Sequence, residues 1–292
     1  MKTATLTDHA RRIARAMALL AERVDAPPSL EEMAGVAAFS PCHFHRAYRS
    51  LTGETPAETL ARLRLSRAAV VLIKSDAPMA KVAKGAGYGS VAAFNRAFRE
   101  AHGLPPGAYR AAGGIGSPKQ EEEAMHHVRM IDWPAMTLAV LDHRGPYDDI
   151  GAVFDRLIAW GTARGLIEEA TRFVALYWDD PKSVPDADLR AVAGFAVPAD
   201  TAVSDGVRLV GVPAMHCAAL RFKGPYAELE GAYDWFYGTW LPGSGEAPAD
   251  QPMMEEYLND CRSLPPQEWL TDILMPLKAR VPAIPQQAEL LP

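Results

Sequence analysis

The sequence predicts a protein of two domains: an all-α tandem helix-turn-helix domain, then an α+β domain that duplicates a β-α-β-β unit. Three observations predict this class. Two helix-turn-helix patterns lie in the first third of the chain, a segment beginning at Val128 recurs at Val207, and the two parts carry opposite charge. A length of 292 residues also exceeds one ordinary domain. We therefore expect domains at 1–112 and 126–280, a linker at 113–125 and a tail at 281–292.

The overall charge of −6 conceals an asymmetry between the two parts. Residues 1–112 hold 16 Lys and Arg against 9 Asp and Glu, a balance of +7. The remainder holds 14 basic and 27 acidic residues, a balance of −13. A basic part joined to an acidic part is typical of a nucleic-acid-binding domain attached to a domain with another task.

The stretch from Met79 to Arg110 has the pattern of a helix-turn-helix unit, at about 79–102. A short helix leads to a turn at Gly87–Tyr88, and Ser90 caps a second helix that ends before Gly103. A reader of DNA needs cations on its second helix, and this helix carries Arg96 and Arg99.

An earlier unit, at about 30–52, repeats the pattern. Ser29 and Glu32 form a capping box for its first helix, and Ser40 with Pro41 begins its second. An amphipathic helix over 7–25 precedes this unit, and a helix from Thr55 through Leu72 separates the two readers. One such unit is a weak signal, since any helical bundle has capped helices. Two units in a basic segment favour DNA binding.

The sequence argues against a metal site, a cofactor, a signal peptide and a membrane span. His43 and His45 do not share a helix face, because residues two apart point in different directions. The three cysteines are widely separated and form no CxxC pair, which is typical of a reducing compartment. The N-terminus lacks an apolar signal-peptide core, and no long apolar run occurs. We expect a cytoplasmic protein.

Residues 8–112 resemble the AraC/XylS family of transcription regulators. The resemblance rests on both units, above all on the run of motif residues from Val82 to Arg110. It implies two recognition helices that enter successive major grooves of double-stranded DNA about 34 Å apart. The positions that would face bases are Cys42, His45 and Arg46 in the first groove, and Val91, Ala92, Asn95 and Arg96 in the second. The other predicted DNA-binding residues are Ser40, Arg49, Ser90 and Arg99.

Arg46 and Arg96 are the candidates for bidentate contacts with guanine. Val91 and Ala92 depart from the family pattern, which often has polar residues there. The apolar pair is compatible with contact to thymine methyl groups and equally with weak readout in the second groove.

After the predicted linker the chain repeats itself, over about 128–198 and 207–277. Each copy contains PAM and then GPY after eight further residues, at an offset of 79. Apolar alternation around the PAM segment predicts strands, and each GPY opens an amphipathic helix. Two more strands follow in each copy. Two copies are too few for a solenoid, so a pseudo-twofold domain with a cleft at the repeat junction is expected.

Residues 126–278 resemble the GyrI-like small-molecule-binding domain, of SHS2 type. The resemblance is carried by the two GPY segments, by Tyr177 with the following Asp-Asp-Pro, and by PMMEEYLND at 252–260. In the family a glutamate two residues before a tyrosine projects into the cleft, and the matching residues are Glu255 and Tyr257. Cys261 departs from the pattern, because proline usually stands there. A DNA reader followed by this domain is the order of the Rob-like branch.

A buried carboxylate in an aromatic cavity binds lipophilic cations through charge and cation–π attraction. Aromatic residues of this kind are also common in plain cores, so each wall residue is a separate prediction. Glu256 should face away from Glu255, because strand residues alternate. The predicted ligand-binding residues are Glu255, Tyr257, Tyr147, Tyr177, Trp178, Tyr226, Trp235, Phe236 and Trp269.

These features predict a sequence-specific transcription regulator without enzymatic activity, in which a small lipophilic or cationic effector biases DNA binding. RNA polymerase is a further candidate partner. Two alternatives stay open for the C-terminal domain. Some GyrI-like proteins hydrolyse strained electrophiles, and Glu255 with a cleft tyrosine would supply a general base and a polarising hydroxyl. Other family members bind a topoisomerase, so the cleft domain could instead bind a protein partner.

Overall fold

The computed structural model describes residues 2–114 and 127–279, with side chains described from residue 8 onward. Most of the predicted linker at 113–125 and the whole predicted tail at 281–292 lie outside the described residues. Within the two described ranges the helices are too short or too polar to cross a bilayer.

The first range is entirely helical and contains seven helices. Their bounds are α1 Lys2–Glu22, α2 Leu30–Val36, α3 Pro41–Thr52, α4 Pro56–Lys74, α5 Met79–Gly85, α6 Val91–His102 and α7 Pro106–Ala112. Helices α2 and α3 form the first helix-turn-helix unit, and α5 and α6 form the second.

Side-chain caps define where the helices of both units begin. Ser29 and Glu32 form the expected capping box of α2, and the Ser40 and Ser90 side chains accept from backbone N–H groups of α3 and α6. Both second helices are 12 residues long and end at a glycine in the left-handed conformation. The two units therefore share a serine at the start and a glycine at the end of the second helix.

Each unit has its own apolar core. Phe44 and Tyr48 of α3 pack with α1 and α2 in one cluster, and Phe94 and Phe98 of α6 pack with α5, α7 and α4 in another. All four aromatic side chains are fully buried. Because these residues recur every fourth position, the opposite faces of α3 and α6 remain available to solvent.

The second range forms an eight-stranded antiparallel sheet with helices. The strands are β1 Val128–Trp133, β2 Met136–Arg144, β3 Phe173–Tyr177, β4 Arg190–Val197, β5 Arg208–Val212, β6 Met215–Lys223, β7 Met253–Tyr257 and β8 Leu270–Pro276. Helix α8 spans Ile150–Thr162. Helix α9 spans Leu229–Trp235 and continues through a π-helical turn, Phe236–Trp240, into α10, Leu241–Ser244.

The strand order is β1-β6-β8-β7-β3-β4-β2-β5, so the two repeats exchange their first strands. In each repeat the segment around the PAM proline is two strands separated by a corner at Pro134 or Pro213. The strand before each corner pairs with the other repeat, β1 with β6 and β5 with β2. The repeats also meet at the sheet centre, where β3 pairs with β7 and Ala175 lies opposite Glu255.

An apolar layer is buried on each face of the sheet. Helix α8 covers one half of one face with Leu157 and Trp160, and α9 covers the other half with Leu229 and Ala232. On the opposite face the curled sheet buries a second cluster that includes Trp133. The face with the helices is the one that holds Glu255.

Helix α4, which separates the two readers, lies against the C-terminal domain. It contacts the short helical turns that begin at the tyrosine of each GPY, Tyr147–Asp149 and Tyr226–Glu228. Ion pairs join Arg62 to Asp155 at 2.7 Å and Arg67 to Asp149 at 2.9 Å. Helix α1 packs on α8 in addition.

Candidate functional site

The first predicted recognition helix, α3, presents its predicted DNA-binding residues to solvent. The exposed residues are Ser40, Cys42, His45, Arg46 and Arg49. Cys42, Arg46 and Arg49 lie on the side opposite Phe44 and Tyr48, because the helix repeats every 3.6 residues, whereas His45 flanks the buried side and Ser40 is the N-cap. His43 is turned toward α1 and stacks on Phe39 with ring centroids 5.3 Å apart. In the described residues there is no group of three or more His, Cys, Asp or Glu side chains that could hold a metal ion.

The second predicted recognition helix, α6, presents a less polar surface. Ser90, Ala92, Arg96 and Arg99 are exposed. Val91 and Asn95 are half-buried, and Val91 packs partly against the core around Phe94. Only part of the Val91 side chain is therefore accessible to a base.

The cleft is organised around the Glu255 carboxylate in the middle of the sheet. Glu255 is 5% exposed. Its Oε2 accepts hydrogen bonds from Tyr257 at 2.9 Å and Tyr177 at 3.3 Å, and its Oε1 accepts one from Tyr233 at 2.9 Å. Strands β7 and β3 supply two of the phenols and α9 supplies the third. The carboxylate thus lies between the two repeats and under a helix.

Burial dominates the electrostatics of this cluster. It raises the pKa of Glu255, although the three phenol hydrogen bonds oppose the rise. Burial, reinforced by the Glu255 charge, holds the pKa values of Tyr177, Tyr233 and Tyr257 well above the ordinary value. The phenols therefore stay neutral donors at physiological pH. They solvate the carboxylate without cancelling its charge.

An aromatic shell surrounds the cluster. Tyr226 lies 5.4 Å from Tyr257 and 4.6 Å from Trp269 between ring centroids. Tyr147 lies 4.7 Å from Tyr177, and its hydroxyl donates to the backbone of the Asp179 loop. These four predicted residues, Tyr147, Tyr177, Tyr226 and Trp269, are brought together near Glu255 and Tyr257.

The structure does not bring two of the predicted wall residues to the carboxylate. Trp178 is 44% exposed, and strand alternation directs it away from the face that holds Tyr177. Phe236 is fully buried in the core beneath α9, and Trp235 packs partly against the same core. The prediction that Trp178 and Phe236 face the ligand is corrected, since one is turned outward and the other is core.

Two residues around the carboxylate were missed from the sequence. Tyr233 donates to Glu255, and Phe154 packs edge-on against Tyr257 with centroids 5.1 Å apart. The repeat offset of 79 relates these two positions, each seven residues after the tyrosine of its GPY. That spacing, two helical turns, was the available signal.

The neighbouring Glu256 serves a separate contact on the other face of the sheet. Its carboxylate pairs with Arg172, whose guanidinium lies 4.2 Å from the centre of the Trp133 ring. Glu255 and Glu256 therefore differ in both neighbours and accessibility, which makes Glu256 a matched control for substitutions at Glu255.

A tandem helix-turn-helix domain joined to a pseudo-twofold domain with a buried carboxylate defines a class of protein, the DNA-binding transcription regulator with a small-molecule-binding domain. The comparisons with known proteins agree. The chain belongs to the family of the GyrI-like small molecule binding domain, whose model matches residues 126–278. A helix-turn-helix domain model matches residues 33–112.

The relatives fall into two groups that correspond to the two domains. The DNA gyrase inhibitor of Serratia proteamaculans (strain 568) is 33% identical over 141 residues, which is 47% of this chain and 89% of that protein. The RCS-specific HTH-type transcriptional activator RclR of Escherichia coli (strain K12) is 34% identical over 82 residues, 28% of this chain and 29% of RclR. The solved EcmrR C-terminal domain matches 53% of this chain and 98% of that chain, at 17% identity and a TM-score of 0.44.

Proposed function

We propose that the chain reads double-stranded DNA with α3 and α6 and binds a lipophilic cation beside Glu255. The observation that carries the effector class is the solvation of the Glu255 carboxylate. The three phenols hydrogen-bond the buried carboxylate but carry no positive charge, so a bound cation would offset the charge of its ionised form. The phenol and indole rings of the surrounding shell offer cation–π faces to the same ligand.

Direct titration of the full chain tests the effector class. Tetraphenylphosphonium serves as the probe, and its dissociation constant is measured by isothermal calorimetry for the wild type, Glu255→Gln and Glu256→Gln. Loss of the Glu255 charge should weaken binding at least tenfold, about 1.4 kcal/mol. Glu256→Gln should stay within about twofold, since Glu256 lies on the other face.

The DNA affinity of both variants without the cation should equal that of the wild type. Equal cation affinity in the wild type and in Glu255→Gln would move the site away from this carboxylate and contradict the proposal.

Glu255 and its tyrosines would also suit the active site of a hydrolase, and this is the second candidate function. A carboxylate with a raised pKa is suited to act as a general base on water, and a neutral phenol can polarise a substrate. We infer binding without turnover, because the three phenol hydroxyls are engaged with the carboxylate or with one another. Incubation of the chain with cyclopropane-bearing electrophiles separates the two functions. Product formation that Glu255→Gln abolishes would favour the hydrolase, and stoichiometric binding without product supports the sensor.

The relatives named DNA gyrase inhibitor favour a test for a protein partner as well. A supercoiling assay with purified gyrase and the full chain provides it. The sensor proposal predicts no inhibition at concentrations that saturate the cation site.

A further inference from the structure

The loop that joins β7 to β8, residues 258–269, begins directly after Tyr257 and is held in one shape by its own hydrogen bonds. The Asn259 amide donates to the Glu268 carbonyl at 2.7 Å and accepts from the Leu270 N–H at 3.0 Å. The Trp269 indole N–H donates to the Leu264 carbonyl at 2.9 Å. Because these hydrogen bonds fix the shape of the loop, a shift at one of its ends would also move the other end.

Arg262 of this loop reaches the end of the first recognition helix. Its Nη1 donates to the carbonyl of Thr52, the last residue of α3, at 3.3 Å. Its Nη2 donates to the buried carboxylate of Asp155, which also accepts from Arg62 of α4. With the guanidinium fixed by Asp155, Arg262 is held against the end of α3.

Gln267 of the same loop reaches the end of the second recognition helix. Its side-chain amide donates to the carbonyl of His102, the last residue of α6. The approach is close, because a Cβ placed on Gly103 would collide with the Gln267 side chain. The glycine that ends α6 therefore also makes room for this contact.

Thr52 and His102 are equivalent residues of the two units, each followed by a left-handed glycine. The last carbonyls of a helix lack intrahelical partners and carry the negative end of the helix dipole. A guanidinium and an amide N–H group satisfy them favourably. One loop of the C-terminal domain thus hydrogen-bonds to the carbonyl of the last residue in each of the two recognition helices.

We propose that Arg262 and Gln267 are positioning residues that fix the separation and relative orientation of α3 and α6. This inference rests on the proposed reading of DNA by these two helices. Two recognition helices on one face of a duplex must meet grooves about 34 Å apart, roughly one helical turn of 10 base pairs. Holding both ends from one rigid loop makes the chain selective for that spacing.

The loop also adjoins the cleft. Tyr257 precedes it, and Trp269 at its other end packs on Tyr226. Phe154, which packs on Tyr257, is followed by Asp155, which holds Arg262. The residues that surround Glu255 are therefore continuous with those that hold the two recognition helices.

The test is a spacing series with the full-length chain. Selection from a random duplex library with the wild type supplies a site with two half-sites, and one to three base pairs are then inserted or removed between them. Dissociation constants are measured by fluorescence anisotropy. The wild type should lose at least tenfold in affinity for one base pair of change. The affinity of the variant R262A/Q267A should fall threefold or less, because its two recognition helices are free to change their separation.

Arg11→Ala is the matched control. Arg11 of α1 pairs with Asp205 and so also joins the two domains, but it touches neither recognition helix. This variant should follow the wild-type spacing profile. Arg262→Lys keeps a cation at Thr52, so it should retain most of the wild-type selectivity for spacing. If R262A/Q267A melts below the wild type, Gln267→Leu alone replaces it and should relax the spacing in part.

A wild-type spacing profile in R262A/Q267A and in Gln267→Leu would overturn the proposal. Equal relaxation in Arg11→Ala would also overturn it, because general domain docking would then set the spacing. Failure of the wild type to select any duplex would instead contradict the reading of DNA, so the two failures are distinguishable.

Discussion

At the scale of single residues, Glu255 is an ionisable side chain buried in the interior of the protein. An isolated carboxylate is costly to bury, and the usual outcomes are a cationic partner or a raised pKa. Here three phenols hydrogen-bond both oxygens, and the pKa is nevertheless raised because desolvation outweighs them. Burial therefore favours the neutral form more than in an exposed glutamate, and a bound cation would favour the charged form.

This balance predicts a pH-dependent affinity for cations. Only ionised Glu255 attracts a cation, and its raised pKa means that protonation begins at a higher pH than for an exposed glutamate. Tetraphenylphosphonium affinity should fall as the pH is lowered from 8 toward 5, and the Glu255→Gln variant should show no such fall. Calorimetry across this range measures it. An affinity of the wild type that stays constant down to pH 5 would contradict a titrating carboxylate at the site.

At the scale of elements, the two recognition helices have the same length and caps but different surfaces. Helix α3 exposes Cys42, His45 and Arg46, whereas α6 exposes Ala92 and Arg96 beside a partly buried Val91. Direct readout depends on side chains that can hydrogen-bond to base edges. The first groove should therefore contribute more of the sequence specificity, and the second more of the nonspecific affinity.

Arginine substitutions test this difference. Arg46→Ala should cost about 1–3 kcal/mol on a selected site and relax base preference in one half-site. Arg96→Ala should relax base preference less, because the neighbouring side chains on α6 offer few groups that hydrogen-bond to base edges. Anisotropy titrations against single-base variants of the site measure both. Arg144→Ala, which breaks an exposed ion pair with Asp188 inside the C-terminal domain, is the control. Greater relaxation in Arg96→Ala than in Arg46→Ala would reverse the assignment.

The C-terminal elements show which part of a fold local pattern determines. The strands and helices after each GPY follow from alternation and helical periodicity. The exchange of β1 and β5 between repeats does not, because either repeat offers a compatible edge to a short alternating strand. Only the structure shows it: the strand before the corner at Pro134 or Pro213 pairs with the other repeat.

At the scale of the whole molecule, residues of opposite charge from the two parts pair where the domains meet. Acidic residues of the C-terminal domain, Asp155, Asp149 and Asp148, meet Arg62, Arg67 and Lys74 of α4. The exposed arginines of α3 and α6 lie on other surfaces and stay accessible. Part of the acidic charge of the C-terminal part is thereby paired with the spacer helix and not with the exposed arginines of α3 and α6.

Binding of the full chain to duplex DNA should weaken steeply with salt. Neutralised phosphates release counterions, so six or more phosphate contacts would reduce affinity about a thousandfold between 50 and 200 mM salt. Anisotropy titrations at several salt concentrations give the slope. A nearly flat salt dependence would be incompatible with a basic two-groove reader.

The sequence by itself determined the helices with their caps, the two helix-turn-helix units, the repeat, and the carboxylate at position 255. The helices, their caps and the two units depend on spacings within about 20 residues. The repeat is visible as one motif that recurs 79 residues later, and Glu255 follows from the resemblance to the GyrI-like family. Only the tertiary structure decided that Tyr233 and Phe154 join the cleft, that Trp178 and Phe236 do not, and that one loop holds Thr52 and His102. Those facts depend on contacts between residues far apart in the chain, and only packing of the sheet, α4 and the recognition helices brings them together.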